Sequence, residues 1–416
     1  MKRTAADRTA NQPKPVERVE VNEHGTKKRI VLLVVAILVA LGAFTYAIST
    51  LVTVESGWRE IEATSASEMN CAQDFTFQYY LGGSGADAAA ENKELSMLYT
   101  QATEKAYQIF NAREASLEYN NLYYLNRTLN QPVQVPRELY AAFELVEKTG
   151  SRYIYLGPAF QEYHSLFFCT EDWETEGFDP YQNGDQKEYL QKVAQFAADP
   201  AHIQLQLMGD NTVRLAVSEE YQAFAREYGI VDFIDLYILQ DAFIVDFLAE
   251  SMENAGYNRG MISSYDGYTR CLSEGQLSYT DHLYNPTDPK HVEKAADVQL
   301  MGGTALVKLH EMRLNTRKEL YYYQFENGDM RTAYLDEQDA LCKAALPVLY
   351  ATAYDMGCAE AAMRLLPLYA TDVLDEAGFM ALAGEGIYPL YCDGNTIVST
   401  DPAVTLSAVA QGYTVK

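Results

Sequence analysis

The chain has 416 residues, of which 48% are hydrophobic and 22% are charged, so it is long enough for one large or two ordinary domains. This composition excludes a disordered or a fibrous protein. The 32 Lys and Arg residues stand against 58 Asp and Glu residues, which gives a net charge of −26. A polyanion would be repelled by that charge, and we therefore expect no nucleic-acid partner.

The N-terminal segment differs in charge from the rest of the chain. Residues 1–29 hold eight of the 32 basic residues and four of the 58 acidic ones, so the remainder holds 24 basic and 54 acidic residues. The segment also has almost no large apolar residues, which is typical of a disordered tail. The segment is net positive and the remainder is net negative, which indicates that the two parts face different surroundings.

A long uncharged stretch separates these two parts. Residues 30–54 contain no charged side chain, and basic residues precede them. At about 1.5 Å per residue, a helix of this length crosses a bilayer core of about 30 Å. A cleaved signal peptide is the alternative, but its apolar region is usually about 7 to 15 residues long. We predict an uncleaved, single-pass transmembrane helix over 30–54.

The basic residues before this span set its orientation in the membrane. They place the tail of residues 1–29 in the cytoplasm and residues 55–416 on the extracytoplasmic side of the cell membrane. All six cysteines lie in this outer part, and none belongs to a CxxC pair, which argues against zinc-ribbon and thioredoxin-type sites. An even number of cysteines permits disulfides, but a domain of this size folds without them, so the sequence leaves the pairing open.

After a stalk at residues 55–69, the apolar pattern predicts strands and helices in mixed order. Strands are expected over residues 73–83, 212–218 and 260–265, and a hairpin over 387–401 with Asp393-Gly394 at its turn. Helices are expected over residues 91–117, 135–151, 187–199, 242–256, 339–357 and 358–370. This order predicts an α+β domain over residues 70–405 with a short tail over 406–416.

The common catalytic signatures are missing from the sequence. It contains no GxSxG, HExxH, P-loop or GxGxxG motif. The histidines after residue 150 are scattered and are best explained as surface or hydrogen-bonded residues rather than metal ligands. Motifs alone therefore predict no reaction.

The stretch from Asp235 to Gly267 resembles the central segment of the FAD:protein FMN transferase (ApbE-like) family. In that family a strand ends in Asp-x-Gly-Gly-x-x-Lys-Gly, a helix carrying an Asp follows, and Ala-Gly leads to a strand ending in Gly-Gly-Asp. Asp235, Asp246 and Ala255-Gly256 fall at matching places, and Asp266-Gly267 is similar to the last loop. The resemblance extends over roughly residues 70–400 and implies the ApbE-like fold, with FAD and magnesium as the family's cofactors.

The sequence departs from the family where the dinucleotide would bind. Tyr237 and Ile238 stand at the Gly-Gly pair, and Asp241 and Ala242 stand at the Lys-Gly pair. Glycines would let the backbone approach the dinucleotide, whereas these side chains fill the space. Asp241 also brings negative charge to a place where a pyrophosphate needs positive charge.

The resemblance also implies that the metal site is lost. Residues 345–357 are similar to the family's helix Ala-Asp-Ala-x-x-Thr-Ala-x-x-x-x-Gly, with Gly357 as the last glycine. The metal-binding Asp then corresponds to Pro347 and the Thr to Ala351, neither of which offers the hard oxygen that magnesium demands. Tyr323 stands where the family has a His.

We therefore interpret the outer domain as a pseudoenzyme that binds or scaffolds an envelope protein. An active FAD:protein FMN transferase is the alternative, with magnesium held by Asp235, Asp246, Asp266 and Asp355. A third hypothesis is an unrelated envelope protein. The cofactor-binding candidates implied by the resemblance are Asp235, Tyr237, Asp241, Asp246, Asp266 and Gly267, and Asp355 is the metal candidate.

Overall fold

The structure is a computed structural model that describes residues 26–52, 55–64, 69–83, 87–273, 277–288, 291–310 and 322–416. The chain divides into two compact units, Met1–Val54 and Glu55–Lys416. The first unit contains helix α1, Thr26–Val52, and the second contains every other element.

Helix α1 covers most of the span predicted over residues 30–54. Side chains are described for residues 27, 28 and 30–44, and large apolar side chains among them, such as Leu32 and Phe44, are exposed within this unit. Among the helices whose side chains are described, none is both long and apolar enough to cross a membrane. The side chains of residues 45–52, and all of residues 53–54 and of the tail 1–25, lie outside the described residues.

The second unit is built on a nine-stranded sheet. In spatial order its strands are β1 (Gly57–Glu60), β2 (Phe75–Leu81), β6 (Gly260–Ser264), β7 (Tyr268–Cys271), β10 (Ala305–His310), β13 (Val348–Ala353), β14 (Ile387–Asp393), β15 (Thr396–Ser399) and β17 (Thr414–Val415). All neighbouring strands are antiparallel except β15 and β17, which are parallel.

Helices cover one face of this sheet because their apolar stripes need a partner. Helices α2 (Ala88–Phe110), α8 (Gln240–Asn254) and α9 (Cys358–Tyr369) contact the central strands, and α4 (Arg137–Thr149) packs on α9. Asp87 caps α2 by accepting from the backbone N–H of Ala89 at 2.8 Å. Gly150 ends α4 in the left-handed conformation that glycine favours, with φ +69°.

A second sheet covers the other face. It contains β8 (Ser278–Asp288), β9 (His291–Met301) and β16 (Thr405–Ser407). Its apolar side chains form one core cluster with Leu306, Val348 and Tyr350 of the large sheet. Successive residues of a strand point to opposite faces, and every residue of β13 is buried, so both faces of the central sheet are covered.

The remaining elements form a mostly helical region between α2 and α8. They are α3 (Leu122–Arg127), α5 (Gly157–Phe167), α6 (Gly184–Ala198) and α7 (Glu219–Tyr228), with a small sheet of β3 (Val133–Gln134), β5 (Thr212–Val217) and β4 (Ile203–Leu207). The last pieces are α10 (Glu376–Gly384) and the hairpin of β11 (Tyr322–Gln324) and β12 (Met330–Thr332).

The α+β prediction is confirmed, as are most of the predicted elements. The folded unit nevertheless extends beyond the predicted limits of residues 70 and 405, because β1 and β17 pair into the large sheet from the predicted stalk and tail. No disulfide joins any of the six cysteines, each of which lies in the described part of the chain.

One predicted helix is wrong. Residues 339–357 contain strand β13, whose residues Val348–Ala353 are all buried between β10 and β14. A run of apolar residues this short has no period that separates a buried strand from a helix. Pro347 directly precedes the strand, where its missing N–H breaks no ladder bond.

Candidate functional site

The turn that leads into α8 carries the first group of predicted site residues. Asp235 is buried, and its Oδ1 accepts from the backbone N–H of Tyr237 at 2.9 Å. Burial raises the pKa of the Asp235 carboxyl, which disfavours the ionised form that a metal ligand needs. Asp235 is therefore used to shape the turn.

Tyr237 adopts a backbone conformation that favours glycine. Its φ is +47°, in the left-handed region, although it carries a large side chain. Such a conformation costs a residue with a Cβ atom about 1–2 kcal/mol. The family's Gly-Gly pair falls at this position in the resemblance described above, so the backbone keeps a glycine-like shape while the residue is a tyrosine.

Aromatic rings fill the space beside this turn. The Tyr237 ring is 4% exposed and stacks on Phe160 with 4.4 Å between ring centroids and 11° between ring planes. Phe160 in turn contacts Tyr153 at 5.0 Å, and the Tyr153 hydroxyl donates to the carbonyl of Ala333 at 2.7 Å. These rings therefore occupy the space beside the turn.

Tyr268 interacts electrostatically with Asp241, with Asp266 and with Tyr153 of the aromatic cluster. Asp241 is buried in the first turn of α8, and Asp266 is half-buried in the turn between β6 and β7. Burial raises the pKa of Tyr268 well above its ordinary value, and the carboxyls of Asp266 and Asp241 add to that rise. Gly267 has φ +102°, and a Cβ there would collide with the carbonyl of Lys308. This turn is thus set by strand packing.

Asp246 lies farther along α8 and has a different environment. Its Oδ1 accepts from the backbone N–H of Cys358 at 2.8 Å and from the Arg270 guanidinium at 3.0 Å, and its Oδ2 accepts from the N–H of Ala359 at 2.9 Å. Gly357 is required beside it, because a Cβ there would overlap the carboxylate. Asp246 therefore caps the N-terminus of α9.

The ionisation of this pair follows from its contacts. Burial raises the pKa of the Asp246 carboxyl, while Arg270 and the two amides act in the opposite direction. Burial disfavours the charge on Arg270, but Asp246 outweighs it and raises the pKa of the guanidinium. We treat the pair as ionised, because each charge has its partner within hydrogen-bonding distance.

The assignments of the metal-binding residues need correction. Pro347 and Ala351 were matched to a helix, but Ala351 lies in β13, where it pairs with Val307 and Pro389. Asp355 is exposed in the turn that follows the strand, with φ +59°. The helix at this point of the fold is α9, and the family's Ala-Asp-Ala-x-x-Thr pattern placed on it puts Glu360 at the Asp and Arg364 at the Thr.

Glu360 offers an oxygen ligand, but two protein cations already bind it. Its Oε2 accepts from Lys148 Nζ at 2.9 Å, and its Oε1 accepts from Arg364 Nη2 at 2.9 Å. Burial acts to raise the pKa of the Glu360 carboxyl, yet the two cations hold it below its ordinary value. A magnesium ion placed here would face an ammonium and a guanidinium, which repel it.

Among the described residues, the positions that the resemblance assigns to the family's cofactors do not fit FAD or magnesium. Across the described residues, no group of three or more His, Cys, Asp or Glu side chains could hold a metal ion. The aromatic cluster at Tyr237 fills the dinucleotide side, and Tyr323 uses its hydroxyl to donate to Asp172 Oδ1 at 2.9 Å. The expected ligands Asp235, Asp246, Asp266 and Asp355 lie in separate surroundings rather than around one centre.

Sequence reasoning missed Glu360, its partners Lys148 and Arg364, and Arg270. The sequence did contain a signal for Glu360. Ala359-Glu360-Ala361 lies just after Gly357, in the first turn of a strongly apolar helix. Lys148 and Arg270 are remote in the sequence, and only the packing of α4 and β7 against α8 and α9 brings them to the site.

Comparisons with known proteins agree with the fold. No protein-family model and no curated protein matches the sequence. The solved ApbE protein from Thermotoga maritima aligns with a TM-score of 0.53 and 13% identity, over 84% of this chain and 97% of that one. The flavin transferase ApbE from Vibrio cholerae aligns with a TM-score of 0.52 and 12% identity, over 85% and 98%.

These likenesses confirm the resemblance at the level of the fold, although the identities are low. They also argue against the hypothesis of an unrelated architecture. The unit Glu55–Lys416 has an ApbE-like α+β fold.

Proposed function

We propose that this protein is a membrane-anchored, extracytoplasmic ApbE-like protein that acts as a catalytically degenerate binding or scaffold domain. The observation that carries the proposal is the filled turn at Tyr237, where a buried aromatic ring takes the space beside a glycine-like backbone. The ion pairs of Glu360 support it, because they neutralise the one carboxylate that the corrected helix offers to a metal. Phosphoryl transfer depends on positioning and metal charge, so a site without them loses most of its rate.

The anchor is supported by the sequence. Residues 30–54 are uncharged, the residues before them are basic, and residues 55–416 carry the acidic balance. We expect the full chain to remain in the membrane pellet after an alkaline carbonate wash. We also expect added protease to cleave it on cells whose outer layers have been removed, and recovery in the soluble fraction would contradict the anchor.

An active FAD:protein FMN transferase is the second candidate function. The fold that the chain shares with a flavin transferase favours it. It would require magnesium and FAD to displace the ion pairs at Glu360 and the ring of Tyr237. FAD and magnesium are cofactors of this protein only under that alternative.

Transferase activity can be measured on the full-length chain purified in mild detergent. The protein is incubated with FAD and magnesium, with an envelope membrane fraction as acceptor, and both AMP release and protein-bound flavin are measured. The Vibrio cholerae enzyme serves as the positive control. We expect no AMP above the protein-free control, and magnesium-dependent AMP release together with bound flavin would establish the second candidate.

A further inference from the structure

A surface cleft between α6 and α7 lies apart from the ApbE-like site. Its volume is about 750 Å³, and it is open to solvent. Side chains of α6 form one wall, and Phe224 and Tyr228 of α7 form part of the other. None of the residues assigned above to cofactor or metal contributes to it.

Three aromatic residues that line the cleft, Tyr189, Phe224 and Tyr228, contact one another and form an aromatic platform. Tyr189 of α6 stacks on Phe224 with 5.8 Å between centroids and 16° between planes, and Phe224 contacts Tyr228 at 4.5 Å. The ladder continues inward to Phe196 and Tyr221, which stack at 4.3 Å and 10°. Tyr221 is fully buried, whereas Tyr228 is 54% exposed. The row of contacting rings therefore runs from Tyr221 in the protein core to Tyr228 at the surface.

Amide side chains surround this platform. Gln191 and Gln195 lie one turn apart on α6, so they share a face of the helix, and Gln186 donates to Glu162 Oε2 at 3.0 Å. Each glutamine amide offers two donors and one acceptor. Groups that both donate and accept, such as hydroxyls, suit such a wall.

The geometry excludes two other ligand classes. A cage for a quaternary ammonium needs rings that stand apart around the cation, but these rings contact each other at 4.5 to 5.8 Å. Anions are disfavoured because Glu162, Asp185 and Glu188 outnumber Lys192, whose ammonium already lies over the Phe196 ring at 4.6 Å.

We propose that this cleft binds an uncharged oligosaccharide. A sugar ring has an apolar C–H face that packs on the exposed Tyr228 ring, and its hydroxyls reach the glutamine amides at the rim. The inference rests on the proposed function for its setting, because an extracytoplasmic binding domain meets the glycans of the envelope. It requires neither flavin nor metal.

The test uses the full-length chain in a detergent without a sugar headgroup. Two uncharged probes, the trisaccharide of N-acetylglucosamine and maltotriose, are titrated at up to millimolar concentration, and binding is followed by saturation-transfer NMR and calorimetry. We expect saturable binding of at least one probe. Tyr228→Ala weakens it at least about tenfold, and Tyr228→Phe changes it less than about threefold, because the ring is kept.

Tyr124→Ala is the matched control, since Tyr124 is an exposed helical tyrosine outside the cleft, and it leaves the affinity unchanged. Absence of binding for both probes overturns the proposal, as does an equal loss in the Tyr124 and Tyr228 alanine variants. AMP release from FAD is measured on the same preparation. If an oligosaccharide binds and AMP is released, the cleft proposal is supported and the proposed lack of transferase activity is contradicted. If no oligosaccharide binds and no AMP is released, only the cleft proposal is overturned.

Discussion

Two neighbouring regions, the turn before α8 and the middle of α8, differ in how the chain uses their side chains. In the turn, Tyr237 has a backbone conformation that favours glycine, and its ring stacks on Phe160. Midway along α8, Asp246 presents a carboxylate, but that carboxylate caps α9 and pairs with Arg270. The Tyr237 side chain is thus used in aromatic packing, and both carboxylate oxygens of Asp246 are used in hydrogen bonds.

The two regions are stabilised by different contacts. In the second region every oxygen has a protein donor, so the charges that would meet a metal are balanced within the chain. In the first, the strain of one residue is offset by aromatic packing. Substitutions in the two regions should consequently differ in both size and cause.

The largest effect is expected for Asp246→Ala. The substitution leaves the Arg270 side chain, only 14% exposed, without its counter-ion, and it removes the acceptor from two amides of α9. Breaking a buried pair on one side costs about 3–5 kcal/mol. Urea unfolding of the full-length chain, followed by tryptophan fluorescence, measures this loss.

Asp246→Asn is the matched control, since it keeps one of the two acceptor oxygens and loses the charge and the other acceptor. We expect it to retain about half of the stability that the alanine variant loses. A loss below about 1 kcal/mol for Asp246→Ala would show that the pair does not hold α8 to α9.

An intermediate effect is expected for Tyr237→Gly. Removal of a buried aromatic ring costs about 3–5 kcal/mol, and the glycine recovers about 1–2 kcal/mol of backbone strain. The net loss in the free energy of unfolding is therefore about 2 kcal/mol. Tyr237→Phe keeps both the ring and the strain and should cost about 1 kcal/mol. A glycine variant more stable than the native chain would mean that the ring does not pack as described.

The smallest effect concerns pH and His164. Burial, and then the Arg113 guanidinium, lower the pKa of His164 from 6.5 to about 4. Between these two pH values the unfolded chain binds more protons than the folded chain. The stability contributed by neutral His164 is therefore fully present above about pH 6.5 and is lost as the pH falls towards about 4. Because His164 is half-buried, the loss is about 1 kcal/mol after solvent screening.

The contribution of His164 is isolated by comparison with His164→Gln, which still accepts a hydrogen bond from Arg113. Urea unfolding at about pH 7.5 and about pH 4.5 should show a smaller drop in stability for the variant. Equal drops in the two proteins would assign the acid sensitivity to carboxylates instead.

Much of the fold could be predicted because its helices have apolar residues at helical spacing. The helices predicted over residues 91–117, 135–151 and 242–256 overlap α2, α4 and α8, although the caps Asp87 and Gly150 were not identified and the ends differ by several residues. The central strand β13 could not be identified, because a strand buried on both faces has no alternation to read.

The site was harder to predict than the fold. The departures at Tyr237 and Asp241 were visible, since they are single residues in a recognisable segment. The match of Pro347 to the family's metal-binding Asp rested on a helix that is strand β13 in the structure, and the same pattern placed on α9 puts Glu360 at that position. The cations that neutralise Glu360 come from α4 and from α9 itself, and only tertiary packing identifies the Lys148 contact.

Equilibrium binding of FAD distinguishes a degenerate domain from an active transferase in one titration. FAD fluorescence anisotropy is followed while the full-length chain is added, with and without magnesium, and the Vibrio cholerae enzyme is run in parallel. The filled turn at Tyr237 and the paired Glu360 predict no saturable binding up to about 100 μM protein in either condition. Saturable, magnesium-dependent binding with a Kd on the order of 1 μM would contradict the proposed degenerate domain and show that FAD displaces the aromatic cluster.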